Sequence, residues 1–528
     1  MGSITSAQSV YEPISYSVYK FLERLEGKSI IQYNSNLLPL TRIEISDLLQ
    51  KADSNQTELT QLEKEELQFY EAEFGYELNK NEAAKETTLF SKDNYNRFRI
   101  FSYQDKAFSL SIDPILGWDQ YWVKDIPNFH RRNGLRAYGY IRDNFGFSLQ
   151  WYDNLEEGDK FDFSKAFTPE RGVNWRDNID YSMLNAAFNY DWSWGRISLQ
   201  KEYLEWGSGQ NGKLILSDKA PSFPMIKLDI NPVDWFSFSY FNGWLQSGIV
   251  DSNSIRKTLV EGRINKYDIP RFIVSHMFTF RPLKNLSISL GESVIYSDKI
   301  EPIYLIPFMF FRLADYYLSS DANSGDNVQL FADIFYVNDF LNTKFYSTIF
   351  IDEFSIDAIL ESKDGPSAVG YTFGFKSIDP IIPNSSFNLE YTRINPFVYM
   401  NSNDAQLYSS HGYELGHWIG SNSDQVFVQY TQGILRSLYI TLWGEYTRKG
   451  QEELPEEQYL LPYPDFLYGD RLTQKRFGFK INYEPIHLLN VNLGYTYSEI
   501  LDEAQNRFPD LNLGSSNRLS LSVIYGLR

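Results

Sequence analysis

From about residue 96 onward, apolar and polar positions alternate one for one. In LLNVNLGYTYS, Leu489, Val491, Leu493, Tyr495 and Tyr497 alternate with Asn490, Asn492, Gly494 and Thr496. In NRLSLSVIYGLR, Leu519, Leu521, Val523 and Tyr525 alternate with Arg518, Ser520 and Ser522. DWFSFSYFNGW repeats the pattern with Phe236, Phe238 and Tyr240. A period of two marks strands with two unlike faces. In KNLSISLGESVIYSD, Leu286, Ile288 and Leu290 form the greasy face, and Ser287, Ser289 and Gly291 the small polar one.

The connections alternate too. Short ones (RDNFG, DWSWG, NPVD, RPLKN, EPIH) separate long ones near 119–130, 154–178, 205–222, 248–268, 297–325, 353–366, 396–424, 449–472 and 500–515. Short turns at one rim and long loops at the other are the habit of an outer-membrane barrel. With the first strand at Lys106–Gln120, the pattern predicts about 18 antiparallel strands, an even number, with both termini at the short-turn, periplasmic rim. The fold expected is therefore mainly β, a transmembrane antiparallel barrel over residues 106–528. Its greasy faces meet lipid. A ring of this width is too wide for its own side chains to fill, so water, inward loops or a plug must occupy it. Tyr296, Tyr446, Tyr497 and Tyr525 fall near strand ends, where amphipathic rings belong at headgroup level.

Residues 15–85 read differently. SVYKFLERLE places Tyr19, Leu22 and Leu25 on one helical side. Thr41 with Glu44, and Thr60 with Glu63, are capping boxes that satisfy free N–H groups at helix starts. Leu67, Tyr70, Phe74 and Leu78 share a face. A small helical bundle is expected here, periplasmic by the same parity argument. Residues 86–105, including NRFRIFSY, are expected to be a lead-in segment beneath or inside the barrel. Residues 1–14 read as a disordered N-terminus behind a start Met or an expression scar; whether a signal peptide was removed is not legible.

Composition narrows the function. No run of apolar residues is long enough for a spanning helix. The chain has 528 residues, no cysteine and a formal net charge of -19. The charge argues against nucleic acid as a partner, and missing cysteine excludes disulfides and thiolate metal sites.

Several stretches resemble the Wzi family of capsule-assembly outer-membrane proteins: EWGSGQNGKLILSDKAPSFPMIKLD, FIVSHMFTFRPLKNLSISLGESVIY, NLEYTRINPFVY and HGYELGHWIGSNSDQ. The N-terminal SVYKFLERLEGKSII and LPLTRIEISDLL resemble the helical segment that precedes the barrel in Bacteroidetes-type relatives. The resemblance implies an outer-membrane barrel with a periplasmic bundle, and a lectin-like role in holding surface polysaccharide. One departure is the C-terminal YGLR, where many such barrels end on an aromatic residue.

For sugar contacts the long loops offer Trp118, Tyr121, Trp122, Trp206, Tyr463, Tyr468, Asp470 and Arg471. Flat aromatics beside charged groups suit the apolar face and hydroxyl rim of a sugar ring. Arg136, Arg142, His276, Glu292, Glu390 and Arg393 are expected to line the lumen. His276 and Glu292 fall opposite each other on the apolar parity, so a bulge that turns both inward is expected. PIYLIPFMFFRLADYYL is too apolar for an exposed loop and is expected to fold inward, partly helical. One His beside one Glu is not a metal site. No cofactor is expected. Asp352 and Glu353 are adjacent on a strand and point to opposite faces, so they form no acid/base dyad. EWGSGQNGK follows a strand without opening a helix, which argues against a phosphate cradle.

The expected partners are outer-membrane lipid or lipopolysaccharide, a surface or capsular polysaccharide and, through the bundle, a periplasmic envelope protein. Two alternatives stand beside the non-enzymatic polysaccharide binder: a porin or channel for small solutes, and a scaffold subunit of an outer-membrane complex.

Overall fold

The computed structural model describes residues 9–79, 85–158, 173–175, 178–259, 262, 264–319, 325–354, 367–505 and 513–527. Eighteen antiparallel strands close into one barrel. They are β1 (Phe108–Val123), β2 (Ile126–Ile141), β3 (Phe145–Gly158), β4 (Asn178–Trp192), β5 (Gly195–Glu202), β6 (Phe223–Val233), β7 (Phe236–Val250), β8 (Asp268–Leu283) and β9 (Leu286–Ser297). They continue as β10 (Asn327–Asn338), β11 (Thr343–Phe354), β12 (Ser367–Ile378), β13 (Ser385–Ile394), β14 (Ser423–Leu435), β15 (Leu438–Lys449), β16 (Leu472–Tyr483), β17 (Leu489–Asp502) and β18 (Gly514–Tyr525). Closure is made by β18 on β1, from Tyr525 opposite Leu116 to Arg518 opposite Val123.

The alternation read from the sequence sets the two faces. Leu290, Leu199, Phe188 and Leu442 are exposed on the outside. Ser287 and Ser289 are buried inside. A closed ring leaves no unpaired edge, and its apolar outer band is what lets such a sheet sit in hydrocarbon.

Residues 119–130, expected to be a long loop, are instead a tight hairpin. β1 and β2 stay paired up to Val123 opposite Ile126, with Lys124 and Asp125 at the turn. The dyad pattern never breaks there, so the strands simply run on. Residues 86–92 and 98–104, expected to be a lead-in, form a hairpin of their own. Its second arm pairs with the lower part of β1, from Phe101 opposite Ile112 to Gln104 opposite Ser109. Residues 9–14, expected to be disordered, are packed. Val10 and Tyr11 are buried, and Asn189 Nδ2 donates to the Ser9 carbonyl at 2.7 Å.

Four helices, α1 (Val18–Gly27), α2 (Arg42–Asp53), α3 (Gln61–Glu73) and α4 (Gly75–Leu78), close the short-turn rim. Both capping boxes form, Thr41 with Glu44 and Thr60 with Glu63. Tyr19, Leu22, Leu25, Leu67, Tyr70 and Phe74 share one core with Leu488 of the barrel's last short turn. The bundle is tied to the barrel at this rim, at the turn after β12 and at the start of β11. Arg24 binds Asp379 at 2.7 Å and Glu63 at 2.7 Å, and Lys344 binds Glu26 at 2.7 Å.

Glu66 of α3 makes this docking sensitive to pH. It accepts from the Tyr439 hydroxyl and the Ser437 N–H of the barrel. Burial pushes its carboxyl from 4.5 up to about 7, against the hydrogen bonds from Tyr439 and Ser437 that pull it down. Below pH 4.5 the group is protonated whether docked or free, and its own contribution to docking is at full strength. As pH rises towards 7 the free form ionises first, and docking weakens. Protease cleavage within the bundle should therefore be about tenfold faster at pH 8 than at pH 5, and Glu66→Gln should flatten that dependence.

Candidate functional site

The barrel interior is filled from both ends. The loop between β5 and β6, residues 203–222, enters the lumen and packs Trp206, Leu214, Ile215 and Leu216 into a buried core. Trp206 lies edge-on to Phe241 at 5.1 Å and to Phe331 at 6.3 Å between ring centres. From the other end, Leu37–Leu38 of the bundle pair antiparallel with Glu205–Trp206. The loop between β13 and β14 adds Phe397, Tyr399, Tyr408 and Leu415 to the same core. The Tyr399 hydroxyl donates to the Leu214 carbonyl and the Tyr408 hydroxyl to that of Ile215, each at 2.7 Å. His417, fully buried on this loop, is held neutral, because burial takes its imidazole down to about 3.

Two wall carboxylates seat this plug. Asp333 accepts from Asn36 Nδ2 at 2.8 Å, the Ser208 N–H at 2.8 Å, the Ser208 hydroxyl at 2.7 Å and the Thr348 hydroxyl at 2.5 Å. One side chain thus joins bundle, plug and wall. Glu390 accepts from the N–H groups of Gln210 at 2.6 Å and Asn211 at 3.0 Å, and from the Tyr346 hydroxyl at 2.8 Å. The glycine-rich stretch at 207–212 is therefore an anion cradle already occupied by the barrel's own carboxylates. Tight approach is required there, since a Cβ on Gly209 would lie 2.2 Å from the Gly212 carbonyl oxygen.

The plug does not fill the whole section. Between it and the wall of β14–β18 lies a cleft formed by two cavities of 790 and 520 Å³ that share Gln210, Asn211, Lys219, Trp418, Arg476 and Lys480. Its long-loop end is lined by Val123, Glu452, Ile500 and Arg518, and its other end reaches Ile14, Lys20 and Glu23 beside the bundle. Eight lysines and arginines line it against five carboxylates, an excess of positive charge in a chain of net charge -19.

Cations sit over aromatic faces along the cleft. Arg476 lies 5.2 Å from the Trp418 ring and 6.0 Å from that of Trp443. Lys480 lies 5.4 Å from Trp443, and Arg518 lies 4.6 Å from Tyr121. Arg476 also pairs with Glu445. Asn211 braces the site, donating to Gln425 at 2.7 Å and Glu445 at 3.0 Å while its carbonyl accepts from Trp418 Nε1 at 2.6 Å. Such a wall offers flat apolar surface, carboxylate- or phosphate-binding groups and amide hydrogen bonds together.

Of the residues proposed from sequence for sugar contact, Tyr121 backs this cleft through Arg518. Trp118 and Trp122 share the outward parity of Leu116 and belong to the outer surface. Trp206 is fully buried in the plug core. Tyr463 packs on Phe397 at 5.4 Å, and Tyr468 is bonded through its backbone to Gln451. Asp470 and Arg471 are exposed on the long-loop rim.

Of the proposed lumen charges, Arg136 faces inward and binds Glu12 at 3.0 Å, and Glu390 faces inward as described. Arg142 stands exposed in the short turn after β2, with φ at 52°. Arg393 lies on the outward parity, its guanidinium 3.8 Å from the Phe466 ring. His276 and Glu292 are directly opposite each other, as expected, but the register from Arg271 to Phe280 is unbroken. With no bulge they keep the outward parity, and a segment from the next loop covers them. That segment is PIYLIPFMFFRLADYYL. Instead of folding inward, it lies against the outer wall.

Reading the sequence alone missed Trp418, Trp443, Arg476 and Lys480. A signal was present in KRFGFKIN, where Arg476, Gly478 and Lys480 alternate with Phe477, Phe479 and Ile481.

The structure resembles a carbohydrate-binding β-barrel from Escherichia coli, the outer-membrane protein Wzi involved in group 1 capsule assembly. The TM-score is 0.57 at 14% identity, covering 99% of this chain and 100% of that one. OprD of Pseudomonas aeruginosa (14% identity, 79% and 94% coverage) and OccAB2 of Acinetobacter baumannii (11%, 79% and 98%) align at a TM-score of 0.43 each. No curated relative matches the sequence. Residues 92–511 match the family described as capsule assembly protein Wzi, which spans most of the barrel, and the chain belongs to that family.

Proposed function

We propose that this outer-membrane barrel holds a surface polysaccharide in the cleft beside its plug, without chemical turnover. The long-loop rim faces outward and the helical bundle faces the periplasm. The observation that supports this reading is the cleft itself, reached from the long-loop end and lined by an excess of cations, of which Arg476, Lys480 and Arg518 lie over Trp418, Trp443 and Tyr121. Its chemistry favours a chain that carries carboxylate or phosphate groups. The seated plug disfavours the porin reading, because bundle and loop meet strand to strand inside the lumen and the bundle lines the short-turn end of the cleft.

The test is binding of acidic and neutral capsular polysaccharides to purified protein, measured by biolayer interferometry at two salt concentrations. The acidic polymer should bind, more weakly at high salt, and Lys480→Ala with Arg518→Ala should weaken it roughly tenfold. Equal binding of a neutral polymer, or no effect of the double variant, would overturn the assignment to this cleft.

A further inference from the structure

The segment that covers His276 and Glu292 has a shape of its own. After β9 the chain turns over the rim and runs down the outside of β7–β10, then returns as α5 (Phe311–Ser319). Tyr304 meets Tyr296 near the top of β9 at 5.0 Å. Phe308 stacks on Phe238 at 4.3 Å, level with Phe278, in the lower half of β8. Asp315 is back at the rim, accepting from the Asp326 N–H at 2.7 Å. The strap therefore reaches past mid-height on the wall that carries the lipid-facing band.

Irregular backbone survives in hydrocarbon only if its polar groups are satisfied by protein. The wall supplies partners along the strap, up to the first turn of α5. The Tyr240 hydroxyl donates to the Tyr304 carbonyl at 2.9 Å, His276 Nδ1 meets the Pro307 carbonyl at 3.1 Å, and Glu292 accepts from the Arg312 N–H at 3.1 Å. Pro302 and Pro307 have no N–H to satisfy. His276 also stacks on Phe311 at 4.4 Å. The outward charges are thus buried, and they anchor the strap.

The strap's other face is bare. Leu305, Ile306, Phe308, Phe310 and Leu313 are 48–62% exposed, continuous with exposed Leu290 and Ile334 on the wall. Tyr316 and Tyr317, about 75% exposed, stand higher, towards the rim. Aliphatic and phenyl groups at depth with tyrosines above is the order a bilayer imposes.

We propose that residues 302–319 form a strap that enters the membrane from the long-loop side, where its bare face contacts lipid acyl chains. The chain has no cysteine, so single labels can be placed without background. Phe310→Cys, Leu290→Cys on the bare wall and Leu259→Cys on an exposed loop are spin-labelled in phospholipid vesicles. Collision rates with oxygen and with a water-soluble nickel chelate are then read by electron paramagnetic resonance. Position 310 should match 290, with oxygen favoured over nickel by at least tenfold. A profile like that of 259 would overturn the proposal, and so would shielding of 310 from both agents, which signifies cover by a second protein chain. Adding Glu292→Gln should loosen the label at 310 and leave that at 290 unchanged; equal mobility would remove Glu292 as the anchor.

Discussion

Replacing Arg42 with methionine should detach the helical bundle while leaving the barrel folded. The guanidinium is 1% exposed and reaches Glu77 at 2.7 Å and both Glu12 and Glu73 at 3.1 Å. It also donates to the Glu73 carbonyl at 3.0 Å and lies over the rings of Phe74 at 4.4 Å and Tyr138 at 4.8 Å. Once Arg42 is gone, the Tyr140 hydroxyl still donates to Glu77, but no cation balances the buried carboxylate from that side. Removing one partner from a buried ionic cluster strands the others, at about 3–5 kcal/mol. Limited proteolysis should cut within residues 15–79, while the barrel still shows its folded mobility on unheated gels. Glu77→Gln in the same chain should restore part of the protection, because one stranded charge is removed. Full protection in the single variant would show that the cluster adds little to docking.

Asp333→Ala should unseat the plug. The carboxylate takes four hydrogen bonds from Asn36, Ser208 and Thr348, and the variant leaves all four donors short of an acceptor. Water entering from the cleft offsets part of the loss, so the expected cost is about 3 kcal/mol. Amides of residues 206–216 should then exchange with deuterium roughly 100-fold faster, with the strands unchanged. Unchanged protection of that stretch would place the plug's stability in the Trp206 core alone.

Much of this was legible in the chain because the bilayer allows only one pattern. A wall one residue thick, with lipid outside and polar groups inside, writes itself as strict alternation, and the closed ring of 18 strands followed from it. The capping boxes at Thr41 and Thr60 were equally plain, since both partners lie three residues apart. What alternation cannot say is which side of the wall a connection folds onto. PIYLIPFMFFRLADYYL is apolar enough for a lumen core or for lipid. Only the positions of His276 and Glu292, outward on neighbouring strands, distinguish the two. The surroundings of the aromatic stretches were hidden for a similar reason. Tyr463 and Trp206 spend their faces on Phe397, Phe241 and Phe331, and such pairing joins residues far apart in sequence. Glu390 faces inward, and its partners at Gln210 and Asn211 lie on a loop distant in sequence.

A barrel that holds a chain beside a seated plug, as proposed, does not serve as a conduit. Conductance of the purified protein in a planar lipid bilayer tests that directly. The intact chain should give no steady current steps, and the Asp333→Ala variant should give steps on incorporation. Steady, ohmic steps from the intact protein, unaltered by that substitution, would contradict it.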